Sequence, residues 1–271
     1  GRVERLRHFA SRHVDARHVE VWLPPDYEAK VGAGRRFAVL YMHDGQMLFD
    51  AKTTWNGKCW HVDQAAHALM TQQLARDFII VGPWNHPAFR HSEYFPARFL
   101  PHLPPPLREA FVGEALRGRA RSDDYLRFLV EELKPAIDTR YATRPERAAC
   151  FLMGSSMGGL ISLYGLCEYP RVFGGAAGLS THWIGTSERN AEFPAAAMAY
   201  LRQSLPSPAS VRWWTDRGTL ELDANYAEAH TGVAALARGK GFAPPRFVAR
   251  VIEGAGHDED AWARRVHEVM R

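Results

Sequence analysis

A serine at the centre of a Gly-X-Ser-X-Gly segment is the residue of this chain that most clearly suggests chemistry. The segment runs from Gly154 to Gly158, follows an apolar stretch and precedes apolar residues at i, i+3, i+4 and i+7 from Leu160. A strand that turns sharply into a helix exposes such a serine, because side chains at the two glycines would collide across the turn. The pattern predicts one buried helix face and a nucleophilic Ser156, in preference to the off-centre Ser155.

A nucleophilic serine needs a base within hydrogen-bonding reach, and the base needs an acid that orients it. His257 lies in a glycine-containing loop after the last predicted strand and is the predicted base. Three carboxylates, Asp216, Glu221 and Asp223, follow an earlier strand and are all candidates for the acid. We favour Asp223 because it directly precedes the next predicted helix. If Asp223 only caps that helix, the role falls to Glu221 or Asp216.

Attack on a carbonyl carbon creates an oxyanion, which needs two preorganised N–H donors. The amide of Met157, directly after the serine, is the first predicted donor. Gln46 is the second, because Gly45 lets the loop after an early strand turn its amides toward the site. His43 and Asp44 in the same loop are an alternative acid-base pair or metal ligands, but two ligands alone make a poor metal site. The predicted chemistry needs neither a metal nor a cofactor.

The elements that must position these residues alternate between strands and helices. Such alternation predicts a mostly parallel sheet with helices on both faces and ligands at the carboxyl ends of its strands. The chain order serine, acid, histidine is that of the α/β-hydrolase fold. Strands are predicted at 18–23, 36–42, 77–81, 148–153, 173–179, 211–215 and 246–252, and helices at 123–137, 193–205 and 225–240.

The length of the chain predicts a single α/β domain over residues 1–271. A proline-rich excursion at about 89–121 interrupts it, and its prolines argue against a long helix there. Excursions of this kind often wall an active site. Three strands are predicted to precede the strand that carries the serine.

The composition argues against several classes of partner. The net charge of +4 comes from scattered arginines interleaved with acidic residues, so we expect no nucleic-acid partner. No apolar run approaches the length that spans a bilayer, so we expect a soluble protein. Three cysteines, an odd number, imply no disulfide framework. Because the chain begins at Gly1 without Met, a signal peptide could precede it, and both the compartment and the oligomeric state stay open.

Four segments together resemble a known family. Residues 41–49, 90–94, 154–159 and 254–257 are similar to the esterase D-like, feruloyl esterase-like branch of the α/β hydrolases. The resemblance runs from about Val19 to the C-terminus and implies a cofactor-free carboxylesterase carried by Ser156, His257 and one of the three carboxylates. The acid segment lacks the Gly-Thr-X-Asp spacing of some members, because Gly218 plus three is Glu221. The choice of acid therefore stays open.

Aromatic residues give the substrate hypothesis. Trp55, Trp60, Trp84 and Trp183 fall in loops after predicted strands, where they would suit an aromatic acyl group or a sugar ring, or would only fill the core.

Trp60, Trp183 and Arg90 are the candidate binding residues, although Arg90 could instead form an ion pair that holds the excursion. Family and aromatics together favour a small-molecule or carbohydrate ester, feruloyl or acetyl. A siderophore ester and acyl transfer are the alternatives.

Overall fold

A mostly parallel sheet of eight strands forms the centre of the protein, and the computed structural model describes residues 1–271. Spatially the strands follow the order β1-β2-β4-β3-β5-β6-β7-β8. The pairs β1-β2 and β2-β4 are antiparallel and all other pairs are parallel. The strands are β1 (Arg2–Phe9), β2 (Arg17–Leu23), β3 (Ala38–Met42), β4 (Phe78–Pro83), β5 (Cys150–Ser155), β6 (Gly175–Leu179), β7 (Arg212–Gly218) and β8 (Phe247–Ile252).

The helices flank this sheet on both faces, each face having its own apolar core cluster. This architecture confirms the predicted α/β-hydrolase fold class. The helices are α1 (Tyr27–Gly32), α2 (Val62–Thr71), α3 (Arg90–Tyr94), α4 (Pro105–Glu114), α5 (Ser122–Arg127), α6 (Lys134–Arg140), α7 (Met157–Glu168), α8 (Glu192–Ser204), α9 (Ala227–Gly239), α10 (Glu259–Ala263) and α11 (Val266–Val269).

The register of the parallel strands brings distant loops to one edge. Met42 pairs with Met153, Ser155 pairs with Leu179, and Gly218 pairs with Ile252. The residues that follow each of these positions therefore leave the sheet side by side at its carboxyl end. The loops at 43–46, 156, 180, 219–223 and 253–257 meet there.

The helix after the serine is buried more completely than its sequence pattern predicts. All residues from Met157 to Cys167 are buried, not one face alone. A Cβ on Gly165 would lie 2.6 Å from a Leu152 methyl and 3.2 Å from a Leu126 methyl, so α7 lies between β5 and α5. Helix α7 is therefore enclosed by the sheet on one side and by α3 and α5 on the other.

Three sequence expectations need correction. Four strands, not three, precede β5, because β1 was missed: its charged residues do not read as a strand, yet Arg5 pairs with Glu20 across the edge. The excursion does contain a ten-residue helix, α4, since its first proline occupies the N-terminal turn where proline is tolerated. The predicted helix at 123–137 is α5 and α6 joined through a wider, π-helical turn at Phe128–Leu133.

The described helices also bear on the expected partners. None of them combines the length and the apolar character needed to cross a membrane. All three cysteines are buried with free thiols.

Candidate active site

Ser156 sits in a strained turn between β5 and α7. Its backbone has φ 55° and ψ −121°, a conformation that non-glycine residues rarely adopt and that is concentrated at functional sites. Its N–H donates to the carbonyl of Leu179 at 2.9 Å, which ties the turn to the next strand. A Cβ on Gly154 would lie 2.7 Å from the carbonyl carbon of Gly158, so the turn requires glycine there. The geometry is that of a nucleophile elbow.

His257 is oriented by a completely buried carboxylate. Its Nδ1 lies 2.5 Å from Asp223 Oδ1, and Asp223 has no exposed surface. The second oxygen of Asp223 accepts hydrogen bonds from the Gly218 N–H and the Ser180 hydroxyl, both at 2.5 Å. Because Nδ1 is bound to the carboxylate, a neutral His257 carries its proton there and has an unprotonated Nε2. This is the tautomer that can accept a proton from a hydroxyl group.

Glu221, one of the three predicted acids, contacts the backbone of the loop that carries His257. Its Oε2 accepts the N–H of His257 at 2.9 Å, while its side chain does not bond to the imidazole. A Cβ on Gly256 would lie only 2.5 Å from the same Glu221 oxygen, so the loop needs glycine at this contact. Glu221 is exposed, in contrast to Asp223.

Asp216, the remaining predicted acid, belongs to a separate ion pair. It is fully buried, and its Oδ1 lies 3.0 Å from Arg265 Nη2. It also accepts the indole N–H of Trp214 at 3.0 Å and the backbone N–H of Ser180 at 2.9 Å. Of the three carboxylates, only Asp223 contacts the imidazole of His257.

Tyr226 lies beside the imidazole of His257, with ring centroids 5.7 Å apart. Its hydroxyl lies 2.6 Å from Nδ1 of His182, whose backbone N–H donates to the Ser156 carbonyl. Ser156 Oγ and His257 Nε2 are not joined by a direct hydrogen bond. Free enzymes commonly hold this contact long and tighten it when substrate binds.

The two predicted oxyanion donors lie at this same edge. Met157 opens α7, and the first amides of a helix have no intrahelical acceptor. Gln46 lies in a single turn, Gly45–Met47, whose first residue has no room for a side chain: a Cβ there would lie 2.0 Å from the Gly82 carbonyl oxygen. The loop packs on the elbow, since a Cβ on Gly158 would be 3.4 Å from the Cβ of His43.

A two-point ion pair holds the loop that carries Gln46. Arg90 Nε and Nη2 donate to the two oxygens of Asp44 at 2.7 and 2.8 Å, and Asn85 Nδ2 donates to the carboxylate at 2.6 Å. Burial opposes ionisation of Asp44, but the charge and hydrogen bonds of Arg90 prevail and lower its pKa. Arg90 therefore forms the ion pair that was the alternative to a substrate-binding role, although 32% of its side chain stays exposed.

The alternative acid-base or metal role of His43 and Asp44 does not match their contacts. His43 Nδ1 lies 2.8 Å from the Tyr125 hydroxyl, and burial lowers the pKa of His43 to about 4. Asp44 is bound to Arg90 instead of His43. No three His, Cys, Asp or Glu side chains converge in a way that could hold a metal ion.

Two of the predicted substrate-binding tryptophans lie in the core. Trp60 is 3% exposed and packs on Trp262 with ring centroids 5.3 Å apart, and Trp183 is 2% exposed. Side chains this buried have almost no surface for a substrate. Both tryptophans therefore fill the core, which was the alternative to a substrate-binding role. Trp55, by contrast, is 84% exposed.

The structure adds residues that sequence reasoning missed. Ser180, His182 and Tyr226 lie in or next to the site, and Trp262 and Arg265 reach it from the C-terminal helices. One signal could have found two of them: Ser180 and His182 directly follow a predicted strand, at the edge where the other candidates were sought.

The sheet order and the elbow define an α/β-hydrolase. The family described as "Putative esterase" matches residues 11–267, and the chain belongs to this family. The chain thus combines the α/β-hydrolase fold with membership of the family described as putative esterases. Among curated proteins, "Uncharacterized protein YbbA" of Bacillus subtilis (strain 168) is 24% identical over 168 residues, which are 62% of this chain and only 58% of YbbA.

Solved structures show the same fold at low sequence identity. A ferulic acid esterase is 19% identical with a TM-score of 0.70, over 99% of this chain and 96% of the other. The enterochelin esterase of Shigella flexneri is 16% identical with a TM-score of 0.72, over 99% of this chain and 57% of the other. An IroE-like serine hydrolase from Shewanella oneidensis is 16% identical with a TM-score of 0.72, over 98% of this chain and 80% of the other.

Proposed function

We propose that the protein is a serine carboxylesterase that works through an acyl-enzyme, with Ser156, His257 and Asp223 as its catalytic residues. The observation that carries the proposal is the 2.5 Å contact of His257 Nδ1 with the buried Asp223, at the sheet edge where Ser156 forms its elbow. A buried carboxylate bound to Nδ1 aims Nε2 outward as a base.

The geometry supports a two-step reaction. Ser156 Oγ attacks the ester carbonyl carbon while its proton passes to His257 Nε2. The carbonyl oxygen becomes an oxyanion, to which the amides of Met157 and Gln46 donate. When the intermediate collapses, the bond to the alcohol breaks, and the alcohol leaves with the proton held by His257. The acyl group is then bound to Ser156.

Water completes the cycle. His257 removes a proton from a water molecule, whose oxygen attacks the acyl carbon, and the second intermediate releases the carboxylic acid and restores the Ser156 hydroxyl. During both steps the negative charge of Asp223 stabilises the imidazolium form of His257. Because Asp223 has no exposed surface, water screens this interaction little.

A carbohydrate ester, feruloyl or acetyl, is the proposed substrate class. The structural similarity to a ferulic acid esterase supports it, as does an exposed aromatic residue, Trp55, close in sequence to the loop that carries Gln46. The enterochelin esterase neighbour makes a siderophore ester the second candidate. An acyltransferase would use the same three residues but pass the acyl group to an alcohol instead of water.

The test is hydrolysis of a panel comprising p-nitrophenyl acetate, methyl ferulate, acetylated xylo-oligosaccharides and a catecholate trilactone. We expect turnover of at least one ester and a loss of about 10⁴-fold or more in Ser156→Ala. Ser156→Ala that keeps activity, or a wild-type protein inactive on every ester, would refute the proposal. Added methanol separates the two reaction types, because a transferase would form mainly methyl ester.

A further inference from the structure

The segment from Thr53 to Lys58 joins the two halves of the candidate site. At one end, the Thr53 hydroxyl donates to the backbone carbonyl of Gln46 at 2.8 Å. At the other, Asn56 Nδ2 donates to Glu259 Oε2 at 2.9 Å, and Lys58 Nζ lies 2.6 Å from Asp258 Oδ2. Asp258 directly follows His257 in the chain. Trp55 is therefore held at the rim, between the loop of the predicted oxyanion donor and the loop of the predicted base.

This rim carries the most exposed large apolar side chain of the protein. Trp55 is 84% exposed, ahead of Leu220 at 52% and Val251 at 49%. Its neighbours Thr53 and Asn56 are both fixed by hydrogen bonds to other loops, so the indole does not sit on a free chain end. Single exposed apolar side chains are common on protein surfaces, and what distinguishes Trp55 is that its anchored neighbours fix it beside the candidate site.

The faces of the Trp55 indole are free. Trp84, a partly exposed tryptophan, has the Arg5 guanidinium 4.9 Å from its ring centroid and the His18 ring at 5.0 Å. No ring or guanidinium packs on Trp55 in this way. Trp60, five residues further on, is covered by Trp262. Trp55 alone among these tryptophans offers a flat, uncovered surface next to the site.

We propose that Trp55 determines substrate specificity by stacking on a planar aromatic ring of the ester. Offset stacking on an indole is worth about 0.5–1.5 kcal/mol beyond buried area, which is roughly a 2- to 13-fold change in affinity. The ring can belong to the acyl group or to the alcohol, and binding of esters that carry it on one side or the other distinguishes the two. The inference rests on the proposed function for the position of the ester.

Binding to the Ser156→Ala protein tests the inference without turnover. Methyl ferulate places the ring in the acyl group, phenyl acetate places it in the alcohol, and methyl butyrate has none. Adding Trp55→Ala should weaken the Kd of at least one aromatic ester about fivefold and leave methyl butyrate within twofold. Trp55→Phe should restore most of the loss, and Leu74→Ala, at an apolar residue with 43% exposure, should change nothing.

The inference is overturned if Trp55→Ala leaves the binding of both aromatic esters unchanged, or weakens all three esters equally. A loss confined to acetylated xylo-oligosaccharides would also overturn it, in favour of a sugar-ring contact. A wild-type protein that hydrolyses no ester would refute the proposed function, whereas an active esterase whose binding of aromatic esters survives Trp55→Ala would refute this inference alone.

Discussion

Ser180 Oγ lies 2.5 Å from Asp223 Oδ2, the carboxylate oxygen that His257 does not contact. The same hydroxyl accepts hydrogen bonds from Trp262 Nε1 at 2.9 Å and Arg265 Nη2 at 2.8 Å. One buried side chain thus connects the proposed catalytic acid to a buried cation and to the tryptophan beneath the imidazole. Asp223 is held from both of its oxygens before any substrate arrives.

Ser180→Ala should therefore lower kcat about tenfold with little change in KM. Asp223 would lose one donor, which loosens its hold on His257, while Trp262 and Arg265 would each lose an acceptor. The unpaired indole N–H of Trp262 should lower the free energy of unfolding by about 1–3 kcal/mol, whereas Arg265 keeps its ion pair with Asp216. Steady-state kinetics and urea denaturation measure the two effects.

The matched control is Ser122→Ala. Ser122 is also fully buried, and its hydroxyl accepts the Ala97 N–H at 2.9 Å, away from the site. This change should lower stability but leave kcat unchanged. Equal kcat losses in the two folded variants would show that Ser180 acts only through general stability.

Asp223→Asn should reduce kcat by about 10⁴-fold, because an amide neither stabilises the imidazolium nor fixes the required tautomer of His257. Glu221→Gln should reduce it less than tenfold, since an amide oxygen can still accept the N–H of His257. Steady-state kinetics on one ester compares the two variants. A larger loss in Glu221→Gln than in Asp223→Asn would transfer the role of acid to Glu221.

The choice among the three acids shows where sequence reasoning ended. Strand pattern and chain order sufficed to predict Ser156 and His257 at one sheet edge. Asp216 and Asp223 both lie within eight residues of the end of the predicted strand 211–215, and both are fully buried. They differ in partners: Asp216 pairs with Arg265, which comes from the end of the chain. Contacts between residues this far apart in the chain leave no local sequence pattern, so only the structure distinguishes Asp223 from Asp216.

The local sequence could not predict which tryptophans are buried, for the same reason. Trp55 and Trp60 stand five residues apart in one loop, but only Trp60 meets a partner, Trp262, from the C-terminal helices. The missed strand β1 is a similar case. β1 has no alternating apolar pattern, and its Arg5 instead pairs with Glu20 on β2.

Arg90→Lys should lower both stability and kcat. An ammonium group cannot reproduce the two parallel hydrogen bonds from the guanidinium to Asp44, and the loop that carries Gln46 depends on that carboxylate. We expect a loss of about 1–3 kcal/mol in the free energy of unfolding and several-fold in kcat. Urea denaturation and kinetics on a short-chain ester measure the two quantities.

Arg17→Lys is the control for the loss of a two-point ion pair. Arg17 donates to both oxygens of Glu93 at 2.8 and 2.7 Å, and it is more deeply buried than Arg90. This variant should lose at least as much stability and retain its kcat. If it loses kcat to the same degree as Arg90→Lys, the Asp44 pair has no specific role in positioning Gln46.

Because of three buried histidines, the free energy of unfolding should begin to decrease at a pH well above that at which carboxylates titrate. Burial lowers the pKa of His43 to about 4, that of His182 to about 3 and that of His230 to about 4, against 6.5 for an unperturbed imidazole. Below pH 6.5 the unfolded chain binds more protons than the folded protein does. The free energy of unfolding is therefore highest above pH 6.5 and decreases as the pH falls toward the pKa values of these histidines in the folded protein.

Between pH 7 and 5 the free energy of unfolding should fall by about 2 kcal/mol for each of these histidines. Urea denaturation at several pH values measures the slope. His230→Gln should make the slope shallower by one proton, since His230 is buried outside the proposed machinery, whereas His67→Gln, at an exposed histidine, should leave it unchanged. An identical pH dependence in wild type and His230→Gln would contradict the assignment, because it would mean that this imidazole gains its proton equally well in the folded and unfolded chain.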